Sequence, residues 1–392
     1  MISESRYTRF PMTDFARQIA RWNQAVPPLV FLVILLIPMG SILWFRHHSE
    51  QLEDPNRKSR WITLRRQIHI FLLLSVGMWW ALFDFLGIRS LWLWCALVCG
   101  VAEVQLACYL FDRAFLERRW TLIDVLRLTF WRTVFPTISL LLIALGFDSV
   151  YDHRLTGVLW FVAAAIVALV GMVRLRIAEG MKLQEVKSGT AYKRAFFLAK
   201  QMKIRLKRVY VVPAGRGHMT NAFGGGQSIA VTDNYGKFLH AAELDFVIGH
   251  ELGHVTERHG RKRLLVTGLL YASTALLCFF LPAAFNRFRP LLDIIVMVGP
   301  VLALYYLSRQ FEYAADRFAV ELTQAPETGI NALASLYRIT QAPSNCDGII
   351  ELFMTHPSFT HRAQAIGEAG KMPEQKVLEI IREAQGYGVV LG

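Results

Sequence analysis

Long apolar runs separated by short basic segments dominate the first half of this chain and return after residue 263. A helix needs about 20 consecutive apolar residues to cross the hydrocarbon core of a bilayer. Seven runs reach or approach that length, at 27–45, 67–87, 90–111, 133–150, 156–173, 264–284 and 290–308. The pattern predicts a mainly α, multi-pass membrane protein with about seven spans. Five of them form a predicted N-terminal membrane domain, residues 1–174.

The pattern changes in residues 175–392, where apolar runs alternate with mixed segments. Residues 228–232 are β-patterned, and residues 374–385 have the periodicity of an amphipathic helix. This part therefore predicts a second domain of α+β type with a small β-sheet. Two of the predicted spans, at about 264–284 and 290–308, interrupt that domain.

The placement of the charged residues predicts how the spans are oriented in the membrane. The chain is 54% hydrophobic and 19% charged, with a net charge of +13. Most basic residues fall in the segments 46–66, 112–132, 174–263 and 309–392, which alternate with the runs so that they share one side. The positive-inside rule places that side in the cytoplasm, although the arginines near the N-terminus oppose it. The charge therefore indicates a lipid bilayer with anionic headgroups as partner, rather than nucleic acid.

A five-residue motif indicates a metal site. His250, Glu251 and His254 form the pattern H-E-x-x-H at the end of a helix-patterned run. Histidines four residues apart share one helical face, so both rings reach one tetrahedral Zn²⁺. Glu251 stands beside the open coordination position, where it accepts a proton from the water that attacks a peptide carbonyl. Taken alone, the pattern also fits a surface helix with two unrelated histidines.

A third ligand is expected further along the chain. His259 is a poor candidate, because the extended motif requires a histidine at the next position, which holds Gly260. Glu312 and Asp316 lie about sixty residues downstream and are again four apart on one helical face. Glu312 fits as a ligand, and Asp316 fits as acceptor for the second ring N–H of a ligand histidine. Alone, this pair also fits a solvated helix face. The prediction is one Zn²⁺ per chain, held by the two motif histidines and Glu312.

With two further segments, these motifs resemble a known family. One segment is Asn221, Ala222 and Phe223, followed by the β-patterned run, and the other is His356-Pro357 followed by Arg362. Residues 175–372 are thereby similar to the gluzincin family that contains CAAX prenyl protease 1 and the HtpX heat-shock protease. The resemblance implies a zincin fold for the catalytic domain. It also implies His250, His254 and Glu312 as zinc ligands, Glu251 as general base and Asp316 behind the ligands.

The resemblance also suggests roles for residues around the metal. Asn221, Ala222 and Phe223 are expected to hold substrate as an added β-strand, the alternative being an ordinary strand and turn. His356 is expected to face the zinc, where it either stabilises the oxyanion or blocks the open position of the metal. Arg362 is expected either to support the oxyanion or to form a structural ion pair.

These expectations combine into a functional hypothesis. The sequence favours an integral-membrane zinc metalloendopeptidase of the plasma (inner) membrane, with its active site on the cytoplasmic side. Its partners would be protein or peptide substrates, in quality control of membrane proteins. Two alternatives remain: an endoprotease for prenylated CAAX proteins, and a non-catalytic scaffold or sensor that keeps a vestigial zincin fold.

Overall fold

The structure is a computed structural model that describes a helical protein with one small sheet. The described residues are 156–178, 183–213, 222–233, 235–280, 289–340, 351–352 and 354–390, together with His47 and scattered positions between 123 and 150. The predicted combination of mainly helical structure with a small sheet is confirmed.

Helices make up most of the described chain. They are α1 (Gly157–Ala178), α2 (Thr190–Gln201), the single turn α3 (Tyr235–Phe238), α4 (Ala241–Thr256), α5 (His259–Phe280), α6 (Arg289–Thr323), α7 (Pro326–Thr340), α8 (Phe359–Ala369) and α9 (Glu374–Val390). The helix expected at 374–385 is the first part of α9, whose residues Val377, Ile380 and Ile381 are buried.

The sheet has four strands, β1 (Gln184–Val186), β2 (Arg208–Val212), β3 (Ala222–Gly225) and β4 (Ser228–Thr232), in the order β1-β2-β4-β3. β2 and β4 are parallel, whereas β1 and β3 run antiparallel to their neighbours. A two-residue turn joins β3 to β4, and its first residue, Gly226, has φ +62°, a conformation that favours glycine. Because β3 stands last in the strand order, it is an outer strand of the described sheet.

Helix α4 lies at the centre of the core. All of its residues from Glu243 to Gly253 are buried, and it packs against α2, α6, α7 and β3. Phe246, Ile248 and Leu252 are almost fully inaccessible. Burial on several sides holds this helix, and the motif it carries, in a fixed orientation.

The contact between α4 and α6 depends on small residues. Gly249 and Gly253 on α4 face Ala315 and Ala319 on α6. A Cβ atom at Gly253 would lie 3.1 Å from the Cα of Ala315, which is tighter than an ordinary contact. The two backbones therefore approach more closely than larger side chains would allow.

No helix in the described ranges combines the length and the apolarity of a membrane span. The seven predicted spans are therefore not confirmed, and three of them, 27–45, 67–87 and 90–111, lie outside the described residues. The ranges 156–173, 264–284 and 290–308 correspond largely to parts of α1, α5 and α6, respectively.

The small-residue contact gives a first prediction. Gly253→Val places two methyl groups against the α6 backbone, and such overpacking costs about 1–3 kcal/mol. We expect the thermal unfolding midpoint of the full chain to fall by several degrees, roughly 2–4 °C per kcal/mol. The control is Gly260→Ala in α5, where an added Cβ meets no atom within 4 Å. Equal midpoints for the two variants would show that the close α4–α6 approach is unimportant.

Candidate active site

Helices α4 and α6 bring three potential metal ligands together. Nε2 of His250 and Nε2 of His254 are 3.1 Å apart. The carboxylate oxygens of Glu312 lie 3.5 Å from each of these nitrogens. All three ligand atoms are within 4.8 Å of one another. The expected juxtaposition of the H-E-x-x-H motif with Glu312 is therefore present in the structure.

These distances match the requirement of a single zinc ion. Zinc bonds of about 2.0–2.2 Å to nitrogen and oxygen in a tetrahedron place ligand atoms about 3.3 Å apart. Asp316 accepts a hydrogen bond from Nδ1 of His250 at 2.8 Å. Since a carboxylate only accepts, Nδ1 of that ring carries a proton, which leaves Nε2 as the nitrogen that can offer a lone pair to a metal ion. The donor set of two imidazoles and one carboxylate fits a catalytic zinc site.

Buried charge also favours a cation here. Glu251, Glu312 and Asp316 are buried carboxylates, and Arg362 is the one buried guanidinium among them. With the histidines neutral, as metal ligands must be, three carboxylates against one guanidinium leave two negative charges, which a divalent cation would offset. Burial disfavours the charged form of His250, yet its bonds to Asp316 and Glu312 raise its pKa to about 10. The site therefore attracts positive charge strongly.

Arg362, at the start of α8, binds the carboxylates of α6. Its Nε and Nη2 atoms donate to both oxygens of Asp316, at 2.8 and 2.7 Å. Its Nη1 lies 3.4 Å from Glu312. Of the two roles left open by the sequence, the ion pair is the one for which the structure shows contacts. Asp316 is 1% exposed, so its charge depends on this pairing.

His259 contacts the second motif histidine, which sequence reasoning did not anticipate. Its Nδ1 lies 2.8 Å from Nδ1 of His254, and its ring stacks on Phe311 with centroids 4.3 Å apart. Burial, together with the charges of His254 and Lys262, lowers the pKa of His259 to about 4. A neutral ring can accept the Nδ1 proton of His254. The five-residue spacing was the available signal, but the turn after α4 decides where the ring lies.

The side chain of Glu251 extends from α4 towards the outer strand β3. Burial raises the pKa of its carboxyl group, while the charges of His250 and His254 oppose that shift. The amide of Gly224 donates a hydrogen bond to the same carboxylate. A Cβ at Gly224 would collide with the backbone oxygen of Glu251. Glycine is therefore required where β3 passes over the helix.

His356 contacts the third ligand from a loop before α8. Its Nδ1 lies 3.0 Å from Glu312, and its side chain is 61% exposed. Burial opposes the charge of Glu312, but the charge of His356 and hydrogen bonds from all three histidines hold its pKa well below the usual range. His356 thus lies at the open side of the ligand cluster.

Two buried residues that the sequence did not single out anchor the loop that carries His356. Arg309 donates to the backbone oxygens of Glu351, Leu352 and Met354, at 2.8 to 3.2 Å. The Glu351 carboxylate accepts from the amide of Ser358 at 2.8 Å. Arg309 lies one helical turn before Glu312, so one helix holds both the ligand and the loop.

The expected substrate strand is partly described. Ala222 and Phe223 begin β3; the first is buried and the second is 38% exposed. Asn221 lies outside the described residues. Hydrogen bonds in an antiparallel pair alternate in direction, and the Gly224 amide is directed to Glu251, away from β4. The outer side of β3 therefore adjoins the ligand cluster.

The part of the chain that carries this site is similar to known proteins. Residues 193–369 match the model of Peptidase family M48. A "Protease HtpX homolog" of Lactobacillus helveticus is 24% identical, over 58% of this chain and 92% of that protein. The Campylobacter hominis homolog is 28% identical, over 50% and 80%. The Moorella thermoacetica homolog is 31% identical, over 40% and 63%.

Among solved structures, the crystal structure of S. mikatae Ste24p aligns with a TM-score of 0.48 and 14% sequence identity, covering 86% of this chain and 98% of that chain. The matched family model spans every described residue of the ligand cluster and its supports. The similarity expected from the motifs is therefore confirmed: residues 193–369 resemble a domain of Peptidase family M48, and the relatives that match this part of the chain are HtpX homologs.

Proposed function

We propose that this chain is a zinc-dependent endopeptidase that hydrolyses peptide bonds with water at a membrane surface. The observation that carries the proposal is the cluster of His250, His254 and Glu312 within 4.8 Å, with the carboxylate of Glu251 buried beside it. One zinc ion held by these three residues would polarise the peptide carbonyl and lower the pKa of water.

Glu251 is the proposed general base and then acid. Its carboxylate takes a proton from the attacking water and later delivers it to the leaving amine. Burial, which raises its pKa, makes the carboxylate a stronger base than an exposed glutamate. The amide of Gly224 fixes its orientation beside the ligands.

Asp316, Arg362 and His259 are proposed as positioning residues. Asp316 holds His250 in the tautomer whose Nε2 faces the metal, and His259 does the same for His254. Arg362 joins Asp316 to Glu312. Groups that orient metal ligands in this way also increase their affinity for the ion.

His356 and β3 are proposed to meet the substrate. Oxyanion support and blocking of the metal both require the His356 ring beside the ligands, which its contact with Glu312 supports. A substrate segment would add to the outer side of β3, led by Asn221, Ala222 and Phe223, through main-chain hydrogen bonds. Binding of that kind tolerates many sequences, which suits quality control better than one prenylated motif.

The membrane location is proposed from the apolar runs and from apolar side chains exposed on two helices. Leu159 and Ile166 on α1 are 69% and 57% exposed. Leu264 and Phe280 on α5 are 75% and 70% exposed. A lipid environment would remove such surfaces from water. We propose residues 1–174 as a membrane domain, with 175–392 as the protease domain facing the cytoplasm.

Metal content tests the ligand set. The purified full chain should contain about one zinc per molecule, and Glu312→Ala should lose it, because two protein ligands are too few for a catalytic site. The matched control is Glu321→Ala, an exposed glutamate on the same helix. Zinc is quantified by elemental analysis after dialysis. Full occupancy in Glu312→Ala would remove Glu312 from the ligand set.

A second substitution separates the enzyme from a scaffold. Glu251→Gln keeps the size of the side chain but cannot accept a proton. At equal zinc content, single-turnover cleavage of an unfolded substrate should fall by about 10²–10⁴-fold, whereas Glu321→Gln should cleave like the parent chain. Equal rates would exclude Glu251 from the mechanism. Absence of cleavage by the parent chain, with membrane-protein and prenylated substrates alike, would favour the scaffold.

Reporter fusions test the proposed topology. A reporter after residue 392 and one near Glu53 should report the cytoplasm, because these segments belong to the basic side. A reporter inserted between Asp148 and Arg154 should report the opposite side. An external signal from the fusion after residue 392 would refute the cytoplasmic placement of the site.

A further inference from the structure

A groove of about 690 Å³ opens beside the ligand cluster. Three connections form its walls: the segment between α2 and β2, the turn between β3 and β4, and the turn between α4 and α5. His254 is itself part of the lining. One of the three potential metal ligands therefore lies in the wall of the groove.

The groove is strongly basic. No carboxylate contributes to its lining in the part of the chain that the structure describes, whereas six cationic residues do: Lys203, Arg205, Lys207, Arg208, Arg258 and Arg261. Within the same residues, Arg208 alone among these six has an ion-pair partner, Glu185 at 3.9 Å. A concave surface lined by one sign of charge focuses its field on a ligand of the opposite sign.

One wall of the groove continues the strand β3, along which the substrate is proposed to bind. Gly225, Gly226 and Gln227 line it, and they continue β3 beyond the point at which Gly224 meets Glu251. A peptide that lies along β3 and crosses the ligand cluster would extend into the groove on one side of its scissile bond. This continuity favours a polypeptide ligand over a lipid headgroup or a nucleic acid.

Two of the cations occupy backbone positions that glycine would fill with less strain. Lys203 and Arg258 follow α2 and α4 with φ of 54° and 53°. Residues with a Cβ are disfavoured in this left-handed region. Gln324 and Lys371 have the same conformation outside the groove, with φ of 52° each. Replacement by glycine at these four positions removes a side chain while keeping the backbone conformation.

We propose that this groove binds acidic side chains of the protein substrate on one side of the scissile bond. The proposal rests on the proposed endopeptidase function and adds a substrate preference to it. Acidic residues would pair with exposed lysine and arginine side chains, so the preference weakens as salt screens the charges. Three such pairs, each contributing modestly at an exposed surface, would favour an acidic substrate by roughly tenfold.

Three peptides test the preference with the full chain in neutral detergent. One has no charge near the cleaved bond, one has three glutamates on its N-terminal side and one has three on its C-terminal side. At low salt we expect one acidic peptide to exceed the neutral peptide in kcat/KM by roughly tenfold, mainly through KM. At high salt the ratio should approach one. Equal values for all three peptides, or equal gains on both sides, would overturn the proposal.

Glycine variants test where the preference originates. Lys203→Gly combined with Arg258→Gly should lower the acidic-to-neutral ratio by roughly threefold without lowering the unfolding midpoint. The matched control, Gln324→Gly combined with Lys371→Gly, changes the same backbone conformation elsewhere and should keep the ratio. An unchanged ratio in the groove variant would overturn the proposal.

A binding measurement separates this proposal from the proposed function. Fluorescence anisotropy with labelled acidic and neutral peptides is measured on Glu251→Gln, which retains the groove. Preferential acidic binding without cleavage by the parent chain would keep the groove and refute the enzyme. Cleavage by the parent chain, with equal binding of the acidic and neutral peptides, would keep the enzyme and refute the groove proposal. Loss of affinity for short-chain phosphatidylglycerol or an oligonucleotide in the groove variant, without an effect on acidic peptide, would also overturn the proposal.

Discussion

The close approach of α4 and α6 is the constraint on which the site depends. The axes of packed helices lie about 8–10 Å apart, at a distance set by the side chains at the contact, and the ligands of a zinc ion tolerate little variation in distance. Gly249 and Gly253 facing Ala315 and Ala319 set the spacing here. The ligand nitrogens on α4 then lie 3.5 Å from the carboxylate on α6. The glycines of the motif are thus as necessary for its geometry as the histidines are for its chemistry.

A buried charge network then fixes the orientation of the ligands. A buried ion pair contributes little net stability, because desolvation offsets the attraction. Its effect is geometric: Arg362 on α8 holds Asp316, and Asp316 holds the ring of His250. Removing one member would leave the others buried with fewer partners for their charges. The three segments that are separate in the sequence therefore act as one unit, and a defect in α8 is expected to disturb the metal ligands on α4.

The sequence predicted those features that depend on spacing within one element. His250 with His254, and Glu312 with Asp316, share a helical face because the residues of each pair are four apart. The meeting of the two pairs followed instead from the need for a third zinc ligand and from the family resemblance. The contact made by His259 could not be predicted in this way, because it depends on a turn between two helices. Contacts from Arg309 and Glu351 to the loop before α8 likewise join segments about forty residues apart. Apolar runs also misplace helix ends, since α6 continues to Thr323, well beyond the run that ends at 308.

The continuity of α6 has a consequence for the depth of the site under the proposed membrane placement. Glu312 follows the apolar run by four residues, which is about 6 Å along a helix. His259 precedes the run in α5 by five residues, about 7.5 Å. Two helices thus place Glu312 of the ligand cluster, and His259 beside the cluster, at similar short distances from apolar surface. Under the proposed function, a substrate would reach the metal at the membrane surface as an extended segment, so we expect the site to act on chains that have already lost their fold.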